Sequence, residues 1–173
     1  MATSKVGRRE ASAQSEAVPQ SAKVAALQKR GQELTAVLGE TVAILMRDPR
    51  FRHVTLNDLE WAVVPALLTN QFMMMRGMVR PKFEGEDSTG DGPGDGLTVP
   101  VGLALWASVS DEVSEKLAKQ KADGVSYRLA PQEWNSGNNV WLLALVGPEK
   151  LRPALQRQIE QETLKERTVR LFG

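Results

Sequence analysis

Between residues 22 and 46 the apolar positions recur at helical spacing: Leu34, Val37, Leu38, Thr41, Val42 and Leu45 fall on one broad face. The pattern predicts a helix, with Gly31 and Gly39 as weak points, a break near Gly31 among the outcomes, and Pro49 as the stop. A second helix is predicted from Thr55. The Thr55 hydroxyl can cap free backbone N–H groups, and Asp58 places negative charge in the first turn. Leu59, Val63, Val64, Leu67 and Leu68 form its apolar face, and Pro65 predicts a kink or an early end. Strands are predicted over 71–76 and 99–108, and a polar helix over 110–122 capped by Ser110. A short extended piece is expected over 127–129 and a turn over 131–134. The uninterrupted apolar run over 140–146 suits a central strand covered on both faces. An amphipathic helix over 151–164 and a last strand over 168–172 complete the reading. The fold class expected is α/β of the mixed, α+β kind: a mainly antiparallel sheet flanked by helices.

Two segments lack this patterning. Residues 1–21 are small and polar and read as a disordered tail, leaving 22–173 as one domain. Residues 81–98 are rich in Gly and Asp and read as a flexible loop. Its Gly-rich stretch from Gly90 to Gly96 is acidic, would repel phosphates and leads into no helix, so it is no phosphate cradle.

Composition narrows the chemistry. A chain of 173 residues suffices for one core, and a net charge of +1 gives no global field toward nucleic acid or a membrane surface. With no cysteine, disulfides, thiolate nucleophiles and Cys-based zinc sites are excluded. His53 is the single histidine, so multi-His metal sites are excluded as well, and no metal is expected. No apolar run reaches the length of a membrane span and no signal-peptide pattern opens the chain, so a cytoplasmic location is expected.

Three blocks in order carry a resemblance. The stretch LGETVAILMRDPRFRHVTLNDLEWAVVPALLTNQFMMMR contains Leu38-Gly39, Asp48-Pro49, Phe51-Arg52, Val64-Pro65-Ala66 and Gln71-Phe72. PVGLALWASVSDEV follows from Pro100, and then LAPQEWNSGNNVWLLALVGP. From about Leu34 to Phe172 the chain resembles the RTX-toxin-activating lysine acyltransferases. The resemblance implies a fold similar to the GNAT acetyltransferases, an acyl-carrier protein thioester as donor with no bound cofactor, and internal lysines of an RTX protoxin as acceptors. It also implies a cytoplasmic protein that can form a homodimer, or a heterodimer with an intact paralogue.

In that family a His removes the proton of the attacking amine and an Asp orients the His or stabilises charge. A lysine amine with a pKa of about 10.4 is neutral in less than roughly one molecule in a thousand at pH 7, and a positioned base contributes about 10²- to 10⁴-fold. Carried over by position, the His is Phe51 here and the Asp is Ala144. Asn138 stands where the family usually has Asp after Ser-Gly. His53, two residues after Phe51, is either a surface or structural residue or a displaced base, since i and i+2 share a side in an extended link. Arg47, Arg50 and Arg52 are either a solvated basic loop or a docking patch for an acidic carrier protein; Arg76, Arg80 and Lys82 are a weaker second patch. Two functions follow: an impaired acyltransferase, or a non-catalytic homologue that binds, chaperones or regulates an RTX-type protein or acyl-carrier protein.

Overall fold

The computed structural model describes residues 20–79, 96–165 and 167–172. Of the tail expected over 1–21 and the loop expected over 81–98, residues 1–19 and 81–95 lie outside the described residues, as does Arg80; residues 20 and 21 are helical and residues 97 and 98 belong to a strand, against those expectations. The chain falls into two units, 1–33 and 34–173. The first is described through the start of helix α1 (Gln20–Leu45), whose residues 21–33 are all exposed. Gly31 does not break α1: its missing Cβ faces open space, and a single Gly costs only about 1 kcal/mol in a long helix.

In the second unit α1 continues from Leu34 with Leu34, Val37 and Leu38 against the core and Thr41, Ile44 and Leu45 buried. The chain then passes through two 3₁₀ turns, Pro49–Phe51 and Leu56–Asp58, into α2 (Leu59–Ala62) and α3 (Val64–Leu68). Thr55 opens this stretch as expected, its backbone N–H donating to the Asp58 carboxylate at 2.8 Å. The expected single helix is divided at Val63 (φ −127°, ψ −52°), just before Pro65. That break resets the helical phase. Leu68, expected on the buried face, is exposed, while Ala62 and Ala66 are buried beside Val63 and Leu67.

Strands β1 (Phe72–Val79), β2 (Leu97–Val109), β3 (Asn139–Val146) and β4 (Val169–Leu171) form one sheet in the order β1-β2-β3-β4. β2 pairs antiparallel with both β1 and β3, and β4 joins β3 in parallel. Between β2 and β3 lie α4 (Asp111–Ala122) and a 3₁₀ turn, Pro131–Glu133; between β3 and β4 lies α5 (Arg152–Gln158), which runs into a π-helical turn, Ile159–Thr163. Ser110 caps α4, its hydroxyl accepting from the Val113 N–H. The piece expected to be extended over 127–129 forms no strand. The Tyr127 ring instead packs edge-on against Trp61, Trp134 and Phe172.

Both faces of the sheet are covered, as the continuous apolar run in β3 requires. Leu103, Leu105, Ala107 and Val109 of β2 pack with residues of α1, α3 and α4. Ala104 and Trp106 pack on the other side with Leu155, Ile159 and Leu164. The methionines of β1 divide the same way: Met74 joins the first cluster, Met73 and Met75 the second. This is the α+β arrangement the sequence predicts.

Candidate functional site

The link after α1 is organised by Asp48. Its buried carboxylate accepts the Arg50 backbone N–H at 3.0 Å, capping the first 3₁₀ turn, and Pro49 supplies the fixed φ of the turn's first position. Arg50 then folds back on it. Nε and Nη2 donate to the two carboxylate oxygens at 2.8–3.3 Å, and Nη2 also donates to the Leu145 carbonyl at 2.8 Å. The Arg50 guanidinium therefore fastens the link to the end of β3. Its hydrogen bonds hold the Asp48 carboxyl below the usual carboxylate range, and Asp48 in turn raises Arg50.

Phe51 follows directly, half-buried, with the Arg50 guanidinium 5.8 Å from its ring centroid. It packs against the apolar cluster that contains Ala144. Strand alternation alone would not put Ala144 there. Leu105 pairs with Ala144 and Trp106 with Leu142, so Leu143 has no partner and forms a β-bulge. The extra residue flips the parity of the strand. Trp141, Ala144 and Val146 consequently share the cluster on the α1 side, while Leu142 and Leu145 go to the other. Phe51 and Ala144 thus belong to the same apolar cluster, to which one brings a phenyl ring and the other a methyl group.

His53 lies in the turn after Phe51, exposed, with no hydrogen bond or ion pair among the described residues. The three arginines of the link separate. Arg50 is committed to Asp48 and Leu145. Arg52 is exposed. Arg47 donates from Nη1 to the Pro100 carbonyl at 3.3 Å and lines a cavity of about 310 Å³ with Ile44, Asp48, Val101, Val146 and Arg152. Neither Phe51, His53 nor Ala144 lines it. Arg152, on α5, was not a sequence candidate, because a lone arginine at a helix start carries no signal. Its Nε donates to the Gly147 carbonyl at 2.9 Å, and Nη2 stands 3.8 Å from Asp48. Gly147 permits this corner: with φ +149°, a Cβ there would sit 3.1 Å from the Val101 carbonyl oxygen.

The Trp-x-Ser-Gly motif is scaffolding. Trp134 is fully buried, and the Ser136 hydroxyl accepts from the Ser110 N–H while donating to the Glu133 carbonyl. A Cβ on Gly137 would meet the Val109 carbonyl oxygen at 2.6 Å, so only glycine lets this segment pass the end of β2. Gln71 similarly braces the last part of β2, its Oε1 accepting from the Ser108 N–H and its Nε2 donating to Asn135.

The chain is 23% identical over 112 residues to an uncharacterised protein of Synechocystis sp., the aligned stretch covering 65% of this chain and 61% of that protein's length. The model of the RTX toxin acyltransferase family matches residues 30–82 and 96–172, both sides of the Gly/Asp-rich segment and nearly all of the second unit. No helix among the described residues is long and apolar enough to cross a membrane. With the motif blocks built into the folded core and the family model spanning most of the sequence, the chain belongs to the RTX toxin acyltransferase family.

Proposed function

We propose that this protein serves the acyl-transfer system of its family as a binding scaffold with impaired chemistry. Its partners are acyl-carrier protein and an RTX-type protein, met in the cytoplasm. The reaction in question joins a lysine nitrogen to a thioester carbonyl carbon. The C–S bond breaks, the thiol leaves on the carrier, and the amine's proton must pass to a base. The single observation that carries the reading is that Phe51 packs against the apolar cluster that contains Ala144, the two positions to which the resemblance carries the family's His and Asp. Neither side chain accepts a proton.

The nearby groups do not replace them. Asp48 is buried, and Arg50 holds its carboxyl below the usual range, which makes it a poorer base than an ordinary carboxylate. His53 is exposed and does not line the cavity. The alternative, an active enzyme with His53 as displaced base, has no geometric observation in its favour.

The experiment is peptide mass spectrometry on an RTX-type protein incubated with acyl-loaded carrier protein and either the parent chain or its Phe51→His, Ala144→Asp double variant. No lysine acylation with the parent and a gain with the double variant are expected. Acylation by the parent that disappears in His53→Ala would overturn the reading in favour of a displaced base.

A further inference from the structure

The cavity beside Asp48 has a charge pattern that a neutral thioester does not call for. Arg47, Asp48 and Arg152 line it, and both carboxylate oxygens of Asp48 are held by Arg50. Setting Arg50 against the carboxylate it pairs leaves Arg47 and Arg152, a local excess of two positive charges. Arg152 stands 3.8 Å from Asp48, too far for a hydrogen bond. A guanidinium carries five N–H donors. Arg47 gives one nitrogen to the Pro100 carbonyl and Arg152 gives Nε to the Gly147 carbonyl. Those bonds fix the two heads against the strand ends and leave further donors on each.

The remaining walls are apolar: Ile44, Pro49, Val101, Val146 and Pro148. A water's share of liquid volume is about 30 Å³ and a methylene takes about as much, so the cavity's volume accommodates roughly ten heavy atoms. A small volume, apolar walls and two guanidiniums from different elements together describe a ligand with one anionic head and a short aliphatic body.

We propose that this cavity binds a free medium-chain carboxylate, its head on Arg47 and Arg152 and its chain along Ile44, Val101 and Val146. The inference stands on the cavity and holds whether or not the protein transfers acyl groups. The test is titration of the ¹⁵N-labelled full-length protein at neutral pH with octanoate, octanol and acetate. Octanoate is expected to shift the Val101, Val146 and Gly147 amides saturably. Octanol lacks the charge and acetate lacks the body, so each is expected to bind at least tenfold more weakly. Arg152→Gln is expected to weaken octanoate at least tenfold, and Arg157→Gln, an exposed position on the same helix, to leave it unchanged. Octanol binding as tightly as octanoate, or octanoate leaving those three amides unmoved at millimolar concentration, overturns the proposal. Both comparisons use the parent protein, so they decide the matter even if Arg152→Gln does not fold.

Discussion

Replacing Asp48 by Asn keeps an oxygen to cap the Pro49–Phe51 turn and removes the charge that Arg50 grips. The parent carboxylate accepts one backbone and three side-chain contacts at 2.8–3.3 Å. Hydrogen bonds to charged groups contribute about 1.5–3 kcal/mol, and breaking a fully buried pair costs about 3–5 kcal/mol. The lower range applies here, because the Arg50 side chain is 47% exposed and its charge is partly screened by solvent. A loss of about 2 kcal/mol is therefore expected, or about 4–8 °C in Tm for a chain of this size. The loss depends on pH in a definite direction. Arg50 depresses the folded-state pKa of Asp48, so the carboxylate stabilises the fold above its unfolded pKa. That contribution fades as pH falls below about 4 and through the folded value. Urea unfolding followed by fluorescence of the four tryptophans, at pH 7 and at a series of acidic pH values, measures both. A penalty that is absent at pH 7, or that persists undiminished at the acid end, would refute the assignment of Asp48 and Arg50 as a charged clasp.

The remaining predictions concern packing. The buried Thr41 hydroxyl has no hydrogen-bond partner among the described residues, so Thr41→Val is expected to raise stability by about 1 kcal/mol, read as a higher urea midpoint. Gly39→Ala meets nothing within 4 Å on an exposed helical face and should stabilise by about 0.5–1 kcal/mol. Gly137→Ala forces a Cβ into backbone at 2.6 Å and should cost about 3 kcal/mol, measured in the same assay.

The helices and strands were legible because their apolar periods are long and regular, as in α1 and in the run over 140–146. The division at Val63 was legible only as a consequence of Pro65, and its effect on Leu68 was not, since phase depends on the dihedrals of one residue. At the site, the resemblance put Phe51 and Ala144 in question, but alternation could not tell which face Ala144 takes. Asp48 was visible as an Asp-Pro turn signal, yet nothing in the sequence joins it to Arg50, Leu145 and Arg152, contacts that span up to about a hundred residues and exist only after the sheet has formed.

The unpaired Leu143 has a consequence for how such a site changes over time. Trp141 and Ala144 are an odd number of residues apart, yet they occupy one side of the sheet because the unpaired Leu143, itself buried in the same cluster, shifts the alternation between them. Losing that residue would swing position 144 through half a turn, out of the cluster against which Phe51 packs. Changing the side chain at 144 leaves the backbone register alone. The side chain offered to this cluster at position 144 can therefore change by point substitution, while a one-residue deletion removes the position from the cluster altogether.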